Sequence, residues 1–166
     1  LDIGSGHVRL DDGYSYQLGD GATYLQGDGN VMQMFVNTAE RMRISSTGKV
    51  GIGNTAPGPM LEVSESAGSA TIEISTWSGT DTHVARLDLQ KSSSSTVNTL
   101  SATGANEDLG AILAKGVNTG NNKDTAAQIL FTGDAAPDAD AVPGRMTFWT
   151  SDAATLQERM RIDDAG

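Results

Sequence analysis

The sequence predicts an all-β fold of short antiparallel strands and meanders, elongated and trimeric, with its core shared among identical chains. Three observations carry this. Gly, Ser, Thr and Asn make up over a third of the 166 residues, while only 37% are hydrophobic and 5% aromatic. That balance suits short strands joined by many turns and leaves too few core formers for a solitary globule. The apolar residues that do occur alternate with polar ones in period two, which places them on one face of a strand. Finally, no run of helical period is long enough to nucleate a stable helix.

Composition also excludes several classes of function. The net charge is −10, so a trimer would carry about −30, which repels nucleic acid and anionic membrane surfaces. There is no cysteine, hence neither a disulfide nor a thiolate metal site. No stretch reaches membrane-spanning length, and Leu1-Asp2-Ile3-Gly4 has none of the charged and apolar regions of a signal peptide. Beginning on Leu, the chain reads as an internal fragment.

Residues 1–39 are expected to form an N-terminal meander. Asp12-Gly13, Asp20-Gly21 and Asp28-Gly29 recur every eight residues, each followed by a short run such as Tyr14-Ser15-Tyr16 or Val31-Met32-Gln33-Met34. Asp-Gly pairs favour tight hairpin turns because Gly accepts positive φ. Gly and Asp also raise the alternative of a calcium roll at Asp12, Asp20 and Asp28. Such rolls need a Gly-Gly-x-Gly-x-Asp nonapeptide, which this spacing does not supply.

Residues 40–63 change character. In Glu40-Arg41-Met42-Arg43-Ile44, Met42 and Ile44 point one way and Arg41 and Arg43 the other; in Val50-Gly51-Ile52-Gly53 the apolar pair is backed only by Gly. Those glycines leave room for a close neighbouring backbone. Pro57-Gly58-Pro59 interrupts the segment before Leu61-Glu62-Val63 resumes alternation.

Residues 64–157 read as a central β module, with strands at Ile72-Glu73-Ile74, Ala85-Arg86-Leu87-Asp88-Leu89-Gln90 and Ala127-Gln128-Ile129-Leu130-Phe131, and polar loops at 91–96, 116–124 and 133–144. Residues 153–158 are expected to make about one helical turn. Residues 158–166 then begin a second copy of the earlier motif: Met146-Thr147-Phe148-Trp149 followed by Glu158-Arg159-Met160-Arg161-Ile162 repeats Met32-Gln33-Met34-Phe35 followed by Glu40-Arg41-Met42-Arg43-Ile44. The Glu-Arg-Met-Arg-Ile copies lie 118 residues apart, a module duplication and not a solenoid period. The Val-Gly-Ile-Gly part has no second copy here, so the edge of the second motif is expected to be completed by residues outside this sequence.

With Glu40-Arg41-Met42-Arg43-Ile44, Gly48-Lys49-Val50-Gly51-Ile52-Gly53-Asn54-Thr55-Ala56-Pro57 and Leu61-Glu62-Val63 in view, the sequence resembles the stalk regions of bacteriophage tail fibres and tailspikes. The likeness is to those that carry an endosialidase-type intramolecular chaperone further downstream, and it covers most of residues 31–166. The resemblance implies a homotrimer of intertwined or closely stacked β-strands, located on the virion and extracellular when acting on the host. It implies attachment to a host cell-surface glycan or protein and contact with other tail or fibre proteins. The chaperone itself is absent, so no autoproteolytic residue carries over. On the residues alone, Met42, Ile44, Val50, Ile52, Leu61 and Val63, with Met160 and Ile162 from the second copy, form thin apolar faces that three chains can bury and one cannot.

Chemistry-bearing patterns are sparse. Val50-Gly51-Ile52-Gly53-Asn54-Thr55-Ala56 matches a dinucleotide-binding fingerprint superficially, but Pro57-Gly58-Pro59 forbids the helix that motif requires, and no cofactor is expected. His7 and His83 have no neighbours at metal-ligand spacing, so no metal site is expected. Asp11-Asp12, Asp138 with Asp140, and Asp163-Asp164 raise the alternative of a tailspike-like polysaccharide depolymerase, which needs two carboxylates at fixed separation. Their Gly, Ala and Pro neighbours mark them instead as turn residues, and a non-enzymatic role is expected. Trp77 and Trp149 are candidate surface contacts for sugar, with Asn121, Asn122 and Asp138 on the loops. Phe148 and Trp149, being consecutive, must face opposite sides of a strand. Arg41, Arg43, Arg159 and Arg161 are expected to pair with Glu40, Glu158 or acids of neighbouring chains.

Overall fold

The computed structural model describes residues 13–19, 21–152 and 155–166. It is all-β: among these residues there is no helix, and ten strands form one six-stranded and one four-stranded sheet. The chain divides into two units, Leu1–His83 and Val84–Gly166, with one sheet in each.

In the first unit, neighbours in sequence are neighbours in space. Strands β1 (Ser15–Gln17), β2 (Tyr24–Asp28), β3 (Val31–Val36), β4 (Ala39–Ile44), β5 (Val50–Ile52) and β6 (Leu61–Val63) pair in chain order. The expected meander is therefore present at β1–β3. Asp28 pairs with Val31 across a two-residue turn in which Gly29 has φ 58°. Asp12 and Asp20 lie outside the described residues, as does His7. Tyr24 and Phe35 stack across the β2–β3 pair, centroids 4.4 Å apart.

The β3–β4 turn is Asn37-Thr38, with φ 52° and 61°. Positive φ at both central residues is what a type I′ hairpin turn requires, yet Thr is β-branched and pays for it in strain. Beyond the turn, β4 carries a bulge: Met42 pairs with Met34 and Glu40 with Phe35, leaving Arg41 as the extra residue. Alternation is thereby corrected. Arg41 drops out of step, and Glu40 joins Arg43 on the face opposite Met42 and Ile44.

A tight turn follows, where the Gly48 amide donates to the Ser45 carbonyl at 2.9 Å, and β5 returns along β4. β5 and β6 then run parallel. Parallel neighbours ordinarily need a connection of a dozen or more residues. Here residues 53–60 suffice because each strand is only three residues long, so the chain has little distance to retrace. The predicted Pro57-Gly58-Pro59 break makes this return, and Pro57 is buried against Gly51.

The second unit is an antiparallel sheet in the order β10 (Leu156–Ile162), β9 (Gly144–Ser151), β8 (Lys123–Gly133), β7 (Asp108–Val117). The strand expected at Ala127 to Phe131 lies within β8. β7 was not legible as a strand, since Leu109-Gly110-Ala111-Ile112-Leu113-Ala114 is a mixed apolar run without period two. Because β7 and β8 reach Val117 and Lys123, the expected loop at 116–124 shrinks to its tip, residues 118–122. There Asn118 Oδ1 accepts the amides of Gly120 and Asn122 at 2.9 and 3.0 Å.

Two expectations fail. The alternating segments Ile72-Glu73-Ile74 and Ala85 to Gln90 form no strand; residues 64–107 contain none. Alternation shows that an extended segment has one apolar face, but a strand also needs a hydrogen-bonding neighbour, and among the described residues these two have none. The helical turn expected at 153–158 is also overturned, because Leu156, Gln157 and Glu158 pair with β9; Ala153 and Ala154 lie outside the described residues. Cross-strand pairing in the repeated hairpin outweighs local helix propensity.

Candidate functional site: open apolar sheet faces

Register assembles the first face. One cross-strand row runs Tyr16, Leu25, Met34, Met42, Ile52, Val63, and the next runs Met32, Ile44, Val50, Leu61. Paired residues point to the same side of a sheet, as do residues two apart along a strand, so both rows share one face. All six sequence-predicted residues of the connector, Met42, Ile44, Val50, Ile52, Leu61 and Val63, are brought together there. Leu25, Met32 and Met34 join them; the alternation of Val31-Met32-Gln33-Met34 was the available signal for the last two.

None of the described residues buries this face. Among the described residues no Ala, Val, Ile, Leu, Met, Phe, Tyr or Trp side chain is buried, whereas Leu61 is 57% exposed and Ile52 42%. The buried side chains are instead Pro57, Thr132 and Thr147.

The opposite side carries the stacked Tyr24 and Phe35 and a polar cluster beside them. Arg43 forks onto Glu40, with Nε donating to Oε1 at 2.5 Å and an Nη to Oε2 at 2.6 Å, and Gln33 Nε2 donates to the same carboxylate at 2.8 Å. The Arg43 hydrogen bond holds the Glu40 carboxyl below its ordinary range, and Glu40 in turn raises Arg43.

The second sheet repeats the design. Met160 pairs with Phe148 and Glu158 with Trp149, so Arg159 is the bulge residue that Arg41 is in β4. Arg161 forks onto Glu158 at 2.9 and 3.0 Å, as Arg43 does onto Glu40. The expected pairing with motif glutamates thus holds for one arginine of each copy, Arg43 and Arg161; Arg159 Nε instead reaches Thr150 Oγ1 at 3.0 Å. Met160 and Ile162 lie on an apolar face with Met146, Phe148, Ile129, Phe131 and Ile112. Phe148 and Trp149 do point to opposite sides: Trp149 is half-buried, and its indole Nε1 donates to Thr147 Oγ1 at 2.7 Å.

The remaining candidates are scattered. Trp77 is 94% exposed on a segment without strands, near the Ser78 Oγ to His83 Nδ1 hydrogen bond of 2.8 Å. Asn121, with φ 61°, and Asn122 form the β7–β8 tip. Asp138 Oδ1 accepts the amides of Asp140 and Ala141 at 2.9 and 2.8 Å, and these two bonds lower its pKa. Asp163 and Asp164 gather with Asp134, carboxylate oxygens within 4.8 Å of one another. Asp134 is ion-paired to Arg145 at 2.8 Å, which lowers its pKa. In the 91–107 loop, Glu107 binds Lys91 Nζ at 2.5 Å, the Gly104 amide at 2.6 Å and Ser93 Oγ at 2.8 Å. Led by the Lys91 bond, these contacts push its pKa down to about 2.

No protein-family model matches the sequence, and no curated protein matches it. Solved structures do resemble it. The carboxy-terminal domain of the bacteriophage T5 L-shaped tail fibre superposes with a TM-score of 0.64 at 13% identity, covering 100% of this chain and 87% of that one. The chain shares the fold of that domain. The same T5 domain solved with its intramolecular chaperone domain gives a TM-score of 0.66 at 13% identity, over 93% of this chain and 52% of that one.

Proposed function

We propose that this chain is a structural and adhesive segment of a phage tail fibre, homotrimeric and non-enzymatic, that sits on the virion and contributes to attachment to the host surface. The observation that carries the reading is the pair of apolar sheet faces, which no buried aliphatic or aromatic core accompanies among the described residues. Each Met, Ile, Leu or Val covered on assembly contributes about 1.5–3 kcal/mol, and copies of the chain are the simplest cover for a face repeated in every copy. The fold shared with the T5 tail-fibre domain supports the fibre context. A chaperone further along the fibre, of the endosialidase type named by the motif resemblance, belongs to the same proposal.

Host contact falls to the loops, with the 118–122 tip and residues 134–143 leading because both lie between strands and can change without altering them. Asp138 serves as a turn cap and Asp134 as an ion-pair partner, which supports a role in loop shape over one in glycoside cleavage. Sedimentation of the isolated chain tests the assembly: a trimer is expected, with Met42→Glu combined with Ile52→Glu reducing it to a species that dissociates on dilution. A stable, folded monomer of the unmutated chain sinks the proposal. Exchanging the two loops and finding unchanged adsorption to host cells removes the adhesive part.

A further inference from the structure

The chain builds one hairpin twice, with turns of two and four residues, and only the first copy carries a further strand on its outer edge. β4 is covered by β5, whereas β10, its counterpart, stands at the end of its sheet. Up to that edge the copies agree in detail: the bulge at Arg41 or Arg159, the arginine fork onto Glu40 or Glu158, and then the turn. In the first copy the Gly48 amide donates to Ser45 O at 2.9 Å, with Gly48 at φ 79°; in the second the Gly166 amide donates to Asp163 O at 3.2 Å, with Gly166 at φ 96°. The first turn delivers Lys49-Val50-Gly51-Ile52-Gly53 onto β4. Ser45 N then bonds Lys49 O at 2.9 Å, Val50, Gly51 and Ile52 face Ile44, Arg43 and Met42, and Gly53 N bonds Arg41 O at 3.0 Å.

We propose that the outer edge of β10 is an acceptor for a strand of this Lys-Val-Gly-Ile-Gly pattern, joined to Gly166 and running antiparallel. Its Val falls opposite Ile162, its first Gly opposite Arg161 and its Ile opposite Met160. The incoming Val and Ile extend the apolar rows of Ile162 and Met160, which are 42% and 54% exposed. Charge agrees with the register. The Lys falls opposite Asp163, beside the gathered carboxylates of Asp134 and Asp164. An unpaired edge with an apolar row beside it favours β-augmentation, and the turn at Asp163 to Gly166 already bends the chain toward it. This inference does not depend on the fibre reading.

The experiment extends the 166-residue chain beyond Gly166 with a second copy of residues 49–64 and follows amide hydrogen exchange by mass spectrometry in peptides covering β10. Since Arg41 and Ser45 bond toward β5, the alternation places the Arg43 amide there too, and Arg161 is its counterpart. At least tenfold slower exchange is expected at Arg161 in the extended chain, lost when the appended counterparts of Val50 and Ile52 are both replaced by Asp. Exchange at the unextended rate overturns the proposal. So does equal protection with the Asp-bearing extension, which means non-specific cover, or protection already present without any extension, which means another copy fills the edge.

Discussion

Within the 40–63 connector, the close approach of β5 and its return to β6 depend on two glycines whose missing side chains can be weighed directly. A Cβ on Gly51 would collide with the Asn54 carbonyl oxygen and lie 3.4 Å from Pro57 Cδ. A Cβ on Gly53 would collide with the Ser64 carbonyl oxygen, and Gly53 also has φ 69°. Backbone oxygens cannot rotate away, and the Asn54 loop is pinned by the Ala56 amide bonded to Asn54 Oδ1 at 2.8 Å. Gly51→Ala therefore costs about 1–3 kcal/mol of overpacking. Gly53→Ala adds about 1–2 kcal/mol of left-handed strain, for roughly 2–5 kcal/mol in all. For a unit of this size each kcal/mol lowers Tm by about 4–8 °C. Gly116 is the control, as it lies in β7 with nothing within 4 Å of its Cβ position. Thermal unfolding followed by circular dichroism, at one protein concentration, is expected to rank Gly53→Ala below Gly51→Ala, with Gly116→Ala near the parent. Connector variants melting with the parent, or a Gly116→Ala as damaging as either, would refute the reasoning.

Three further outcomes are expected. Thr38→Gly raises stability by roughly 0.5–1 kcal/mol, because relief of left-handed strain at a β-branched residue outweighs the added chain entropy; urea denaturation measures it, and a lower midpoint contradicts the strain. A double-mutant cycle on Glu40 and Arg43 gives a coupling of about 0.5–1 kcal/mol. The cycle on Glu158 and Arg161 gives less, since those side chains are 29% and 44% exposed against 11% and 19%; equal couplings would count against burial as the cause. Glu107 titrates from its ordinary 4.5 down to about 2 in the folded chain, so its hold on the 91–107 loop is complete above about pH 4.5 and is lost as pH falls toward 2. Limited proteolysis with an acid-active protease should show that loop opening over this window, and Glu107→Gln should abolish the pH dependence.

The legible parts of the sequence were those in which two kinds of signal agreed. Asp28-Gly29 gave a turn and its flanks alternated, so the meander was readable; Met42, Ile44, Val50, Ile52, Leu61 and Val63 alternated on both sides of glycines and a proline break, so their shared face was readable too. Leu87 and Leu89 alternate just as well, yet make no strand. The difference is a partner, which period two does not encode. β7 fails in the other direction: its mixed run hides a strand that Lys123–Gly133 recruits by lying alongside it.

By itself, the sequence determined the all-β class, the duplicated Glu-Arg-Met-Arg-Ile hairpin and the apolar side of the connector, because turn chemistry and alternation act over a few residues. Only the tertiary structure decided that a bulge at Arg41 and Arg159 turns each motif glutamate onto its arginine, that β5 and β6 run parallel, and that ten apolar side chains from six strands align in two rows. Those outcomes depend on register between strands, which is set by hydrogen bonding across the sheet and is not written in any one segment.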